Sequence, residues 1–377
     1  MQRLPETFGS SENIYRLAEE LKIQERNVID FSTPVNPLKV SKKVKAEIRK
    51  HLKYLHNHPD PDEKRLTHRL AQYYGLDPDM IICGNGRPAL LCLLSRVLKP
   101  LEIMIPEPSF EDYERFMTVS FQQSHLKKYF LSPEDGFALR PTALVHLMKN
   151  ENISAKDTIS SIPNASSGRI IIVPNPNSLT GQKSAGDDIL KIAEAAREQR
   201  QYLIVDEAFI DFCPHGSIIQ EVRNNPYLIV LRSLSYFHAL AGLRIGYGIC
   251  SPDLARELRK HTEPMSVNYL AQRAAIIALK DKAYAKETSR VLAEEKQFLE
   301  KSFKKLGITF FRSDVNFYLL RIPNGREVCH QLQNRSLLVR NCFEHAGGNS
   351  YIRIAVKSHR ENTILVKALN AVLRNNT

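Results

Sequence analysis

The sequence is poor in features that would assign a function on their own. Its 377 residues include six cysteines, Cys83, Cys92, Cys213, Cys250, Cys329 and Cys342, and no two of them form a C-x-x-C pair. That scatter argues against a zinc site or a disulfide framework and suits a reducing, cytoplasmic setting. No apolar run approaches the length that crosses a bilayer, which argues against a membrane role. The opening residues, Met-Gln-Arg-Leu-Pro-Glu-Thr, lack the apolar stretch of a secretory signal. There is no internal repeat and no low-complexity tract.

The formal net charge is +12, with 43% hydrophobic and 25% charged residues. Those fractions are ordinary for a globular chain. The basic residues are spread along the sequence, and the densest tract, Lys42 to Lys53, reads as a solvated helix face. Nucleic acid is therefore not the expected partner; a small anionic substrate is.

Short runs rich in Ile, Leu and Val alternate with amphipathic segments. Met80–Cys83, Glu102–Ile105, Arg169–Val173, Tyr202–Val205 and Tyr227–Leu231 read as buried strands. Pro88–Leu98, Phe110–Val119, Ala185–Glu198 and Ser251–His261 read as helices. Such alternation implies a mainly parallel α/β sheet. Beyond it, Leu270–Leu306 reads as long helices. Strands at Ile308–Phe311, Phe317–Leu320 and Tyr351–Ala355, with helices at Arg326–Gln333 and Arg360–Arg374, describe an α+β domain. The polar stretch from Asn150 to Gly168 reads as a surface loop. The expected organisation is an N-terminal arm over 1–38, a large domain over 39–265 and a small domain over 266–377.

In an open α/β sheet, ligands sit at the carboxyl ends of the strands. The first expected strand is followed by Gly84-Asn85-Gly86-Arg87-Pro88 opening a helix, a pattern suited to a phosphate cradle or to a plain turn. The third is followed by Asn175-Pro176-Asn177-Ser178-Leu179-Thr180-Gly181 and the fourth by Asp206-Glu207-Ala208-Phe209-Ile210-Asp211-Phe212. The fifth leads into Arg232-Ser233-Leu234-Ser235-Tyr236-Phe237-His238 and then Gly242-Leu243-Arg244-Ile245-Gly246-Tyr247.

In this order the motifs resemble the signatures of the class I/II aminotransferase superfamily, the fold-type I enzymes that depend on pyridoxal phosphate. Within it they most resemble the threonine-phosphate decarboxylases of cobalamin biosynthesis, with histidinol-phosphate aminotransferases further away. Asp30-Phe31-Ser32, Ser266-Val267-Asn268, Leu338–Cys342 and Tyr351–Ala355 extend the resemblance from about residue 12 to the C-terminus. It implies a large, mainly parallel α/β/α domain, a smaller α+β domain and a homodimer. It also implies that Asp206 pairs with the protonated pyridine nitrogen and makes the ring an electron sink. Phe110 would stack on the ring. Gly86, Arg87, Ser178, Phe209, Ser233 and Arg244 would surround the cofactor, with Ser233 and Arg244 on its phosphate. Asn36, Asn316, Arg340 and Arg353 would hold a phosphate-bearing, amino-acid-like substrate.

Several positions depart from that pattern. Tyr236 stands where the family has its imine-forming lysine, and a phenol forms no imine. Ser178 and Leu179 stand where the family has Asn-Pro. Pro88 replaces a hydroxyl residue that donates to the phosphate, and lacks a backbone N–H as well. His58 replaces a tyrosine that reaches the phosphate across the dimer, and Thr7–Ser11 shows no His-Gly-Gly. Arg87 is a cation that would compensate beside a phosphate. The expectation is a relative without normal decarboxylase activity that at most binds phosphate-bearing ligands, its cofactor either absent or held non-covalently. The alternative is a working enzyme with non-covalent pyridoxal phosphate, in which Tyr236 or His238 moves protons or Lys183 supplies the imine.

Overall fold

In this computed structural model the described residues are 13–109, 112–119, 124–149, 168–342 and 350–375. The strands are β1 Ile29–Asp30, β2 Ile81–Gly84, β3 Glu102–Glu107, β4 His125–Phe130, β5 Arg169–Pro174, β6 Tyr202–Asp206, β7 Leu228–Ser233, β8 Gly246–Ile249, β9 Thr309–Phe310, β10 Phe317–Arg321, β11 Leu337–Leu338, β12 Arg340–Asn341 and β13 Tyr351–Ala355. The helices are α1 Ile14–Glu20, α2 Lys42–His51, α3 Lys64–Tyr74, α4 Arg87–Leu98, α5 Asp112–Val119, α6 Pro141–Lys149, α7 Gly186–Glu198, α8 Pro252–Lys260, α9 Tyr269–Ala278, α10 Lys282–Lys305, α11 Gly325–Gln333 and α12 His359–Asn375. The chain divides into two units. The larger takes 38–178 and 182–286; the smaller takes the chain up to Pro37, 179–181 and Glu287 onward.

The larger unit is built on a seven-stranded sheet in the order β2-β8-β7-β6-β5-β3-β4. Every pairing is parallel except those of β8, which runs antiparallel to both β2 and β7. All residues of β5, β6 and β7 are buried, so these strands need apolar side chains on both faces. Successive side chains alternate between the faces. Ile171, Val173, Leu203, Val205, Leu228 and Val230 enter a core covered by α2, α3, α6, α7 and α9. Ile170, Ile172, Ile204, Ile229 and Leu231 enter a second core with α4, α5 and α8. Each such side chain, fully buried, stabilises the fold by about 1.5–3 kcal/mol relative to its exposed state. The result is an α/β/α sandwich, the expected fold class.

The smaller unit carries the antiparallel sheet β12-β13-β10-β9 and the short parallel pair of β1 with β11. Its buried residues include Phe303, Phe317, Leu319, Leu332, Ile352, Ile354 and Leu369.

The expected strands and helices occur with ends shifted by a residue or two. β8 escaped the sequence reading because Gly246 and Gly248 interrupt its apolar pattern. β4 escaped it because it mixes charged and apolar residues, none of them fully buried at the sheet edge. The expected division after residue 265 falls instead within α10, between Lys286 and Glu287. The reason is α9, which packs on α2 and α3 and places Ala271, Ala274 and Ala275 in the large core. The described residues of the expected N-terminal arm, up to Pro37, belong to the smaller unit. The loop expected over Asn150 to Gly168 lies outside the described residues except for its last glycine.

Candidate active site

The strand register assembles one end of the large sheet. Gly84 of β2 and Ser233 of β7 both face Gly246 of β8, and Leu231 of β7 faces Asp206 of β6. Gly246 is a seat for the start of α4. A Cβ there would lie 2.7 Å from the Arg87 backbone nitrogen and 2.9 Å from the Gly86 carbonyl carbon. Gly86, at φ 79°, turns the chain into the helix, and a Cβ on it would meet Arg244 Nη2 at 2.7 Å. The Arg244 guanidinium therefore lies against the glycine turn. Pro88 in the first turn of α4 removes one of the backbone donors that a helix N-terminus offers.

From its seat on β8, Arg87 reaches β6, two strand spacings away, roughly 10 Å. Its Nη1 donates to Asp206 Oδ2, and the two side chains form a buried ion pair. The Tyr113 hydroxyl of α5 donates to the same oxygen, and the Ala208 N–H donates to Oδ1 at 3.1 Å. Arg87 is 5% exposed, Asp206 2% and Tyr113 0%. The guanidinium lies 5.7 Å from the centre of the Tyr113 ring. Burial disfavours the charge on Arg87, but Asp206, Tyr113 and Tyr236 outweigh it and leave the guanidinium pKa above its ordinary value. Burial, and Asp206 beside it, push the Tyr113 phenol well above its usual range, so it remains a donor.

Arg87, expected beside a phosphate, is thus the cation of Asp206. A buried carboxylate needs a partner, and Arg87 supplies it. Tyr113 was missed by the sequence reading; its only signal was an aromatic in the helix that follows β3.

Tyr236 stacks on Phe209, with ring centres 4.2 Å apart and planes at 23°. Ser233 is buried, and its hydroxyl accepts the Ser235 N–H at 3.2 Å. Ser178 is buried as well. His238, the candidate base, sits elsewhere: its ring packs against Phe237 and Tyr284. Burial lowers its pKa, which keeps the imidazole neutral. The stem of Lys183 lies against Gly216. His58 is exposed. Phe110 lies outside the described residues.

The four residues expected to hold substrate belong to the smaller unit. Asn36 donates to Thr288 Oγ1 at 2.8 Å, and Asn316 donates to the Pro34 carbonyl at 2.7 Å. The Asn316 Oδ1 is buried without a hydrogen-bond partner among the described residues. Arg340 on β12 faces Arg353 on β13 directly across the ladder. Arg353 also donates to the Ser32 carbonyl at 2.8 Å and lies 4.9 Å from the Phe317 ring centre.

These residues do not fit a pyridoxal phosphate held in the usual way. Held as the resemblance implies, that group needs an amine at position 236, where there is a phenol. It also needs the Asp206 carboxylate for its ring nitrogen, and Arg87 with Tyr113 holds that carboxylate.

Comparison with known proteins places the chain. The family model for aminotransferase class I and II matches residues 26–369. The threonine-phosphate decarboxylase of Salmonella typhimurium is 31% identical over 366 residues, covering 96% of this chain and 95% of that protein. The crystal structure of the histidinol-phosphate aminotransferase of Clostridium acetobutylicum superposes with a TM-score of 0.81 at 26% identity, covering 92% of this chain and 100% of the other. That of Sinorhizobium meliloti, solved in complex with pyridoxal-5'-phosphate, shares the fold with a TM-score of 0.85 at 21% identity, covering 100% and 97%. A family match that spans most of the chain, on a fold these structures share, makes this protein a member of the class I and II aminotransferase family.

Proposed function

We propose that this family member lacks lysine-dependent chemistry and binds a phosphate-bearing, amino-acid-like ligand as a homodimer in the cytoplasm. The observation that carries this reading is Tyr236 at the lysine position. A phenol makes no imine, which takes a primary amine such as that of lysine. The ligand class rests on two sets of cations, each suited to an anionic group by itself. In the larger unit these are Arg244 against the Gly86 turn, with Ser233 at the end of β7. In the smaller unit they are Arg340 and Arg353 on facing strands. The net charge of +12 favours the approach of such an anion.

The test uses the intact protein with pyridoxal phosphate and O-phosphothreonine. The expected result is no release of carbon dioxide, together with a rise in Tm on adding O-phosphothreonine alone, since a ligand that binds only the native state stabilises it. Steady release of carbon dioxide would overturn the reading. Size-exclusion chromatography with light scattering tests the dimer, and a monomer at micromolar concentration would contradict it.

A further inference from the structure

We propose that Arg87 selects which phosphate compounds the larger unit accepts: it admits phosphates on aliphatic stems and excludes those on a pyridine ring. This deepens the reading above and rests on it. A pyridine ring binds at a buried carboxylate by donating its protonated nitrogen. In this protein Asp206 Oδ2 already accepts from Arg87 Nη1 and from the Tyr113 hydroxyl, while Oδ1 accepts the Ala208 N–H. A guanidinium does not titrate off at physiological pH, so no ordinary change of conditions vacates the carboxylate.

The stem of Arg87 is fixed as firmly as its head. Its backbone nitrogen rests on Gly246, where no other residue leaves room, and its side chain is 5% exposed. The side chain therefore leaves the α4 turn and runs to Asp206, so any ring placed between that turn and the carboxylate meets it. Tyr236, stacked on Phe209, also favours the guanidinium charge electrostatically. A phosphate on a flexible aliphatic stem needs neither Asp206 nor the space that Arg87 fills. It needs only the turn, Ser233 and Arg244.

Calorimetric titration with pyridoxamine phosphate and with inorganic phosphate separates the effect of Arg87 from that of Tyr236. Pyridoxamine phosphate carries the ring nitrogen and the phosphate but has no aldehyde, so a missing lysine does not affect its binding. The wild-type protein is expected to bind inorganic phosphate and to bind pyridoxamine phosphate no more tightly. Arg87→Ser is expected to bind pyridoxamine phosphate about tenfold or more tightly than wild type, because the competent fraction rises once the internal occupant is gone. Its affinity for inorganic phosphate should change far less. Arg87→Lys keeps a cation on a shorter reach and should show an intermediate gain, which preserves the test if the serine variant does not fold. Wild-type protein that binds pyridoxamine phosphate more tightly than inorganic phosphate, or equally with the variants, overturns the role of Arg87. The absence of lysine chemistry would still stand in that case. Failure of wild type to bind inorganic phosphate overturns both the selectivity and the phosphate site.

Discussion

Asp206 and Glu207 are neighbours at the end of β6, and each holds an arginine that arrives from another element. Glu207 is fully buried and accepts the Ser217 hydroxyl at 2.8 Å and the Ile218 N–H at 2.9 Å. Arg232 Nε lies 2.9 Å from its Oε2. The other two nitrogens of Arg232 donate to Asp211 at 2.8 Å and to Ser217 at 2.9 Å, and its plane lies 5.3 Å from the Tyr74 ring centre. Every partner but the ring comes from β7 or from the loop that leaves β6, so the cluster ties the scaffold together. Asp206 is held differently. Arg87 and Tyr113 come from the first residue of α4 and from α5, at the carboxyl end of β6, the end at which open α/β sheets bind ligands. Two ion pairs of the same chemistry, one residue apart, thus serve different ends: one fixes a loop, the other fills a slot.

The largest expected difference between them is in stability. Arg232→Met leaves the buried Glu207 and the half-buried Asp211 without their cation and should cost about 3–5 kcal/mol, read by urea denaturation of the full chain. A loss below about 1 kcal/mol would remove the distinction between the two clusters. Arg87→Met should cost less, about 1–3 kcal/mol, because it strands one carboxylate where Arg232→Met strands two, and Asp206 keeps the Tyr113 hydroxyl and the Ala208 N–H. Adding Asp206→Asn to that variant should recover part of the loss, since no charge is then left unpaired. A double variant less stable than the single would contradict this account of the pair.

A third buried carboxyl differs from both because no ion pair among the described residues holds it. Glu63 accepts the Val267 N–H, while its Oε1 has no hydrogen-bond partner among the described residues. Burial, with Asp60 and Asp62 nearby, raises its pKa to about 7. A folded value above the unfolded one favours the native state at low pH, and that contribution fades as pH rises through about 7. Between pH 5 and pH 8 the wild type should therefore lose stability that Glu63→Gln does not lose, an effect that solvent screening at this carboxyl holds to about 1–2 kcal/mol. Parallel pH profiles of the two proteins would refute the assignment.

Much of the fold was legible because β5, β6 and β7 are continuous apolar runs, and such runs have few alternatives to a buried parallel sheet. Among what escaped were β8 with its two glycines, the mixed edge strand β4, the helices α3 and α6, and the packing of α9 on the large unit. The chemistry at position 236 was legible from one residue, since a phenol forms no imine wherever the fold puts it. The pairing of Arg87 with Asp206 was not. The two are 119 residues apart. Their meeting depends on the register of β6, β7 and β8 and on the seat that Gly246 gives to α4. Tyr113, 93 residues from Asp206, was hidden for the same reason.

We attribute the exclusion of the usual cofactor chemistry from this site to two residues acting together, Tyr236 and Arg87. Their joint action is tested most directly by the absorbance of protein with added pyridoxal phosphate, followed by borohydride reduction and peptide mass mapping. Tyr236→Lys alone should show no imine band and no adduct at position 236, because Arg87 still holds Asp206. Arg87→Ser combined with Tyr236→Lys should show both. An imine at position 236 that forms as readily in the single variant as in the double would contradict the account.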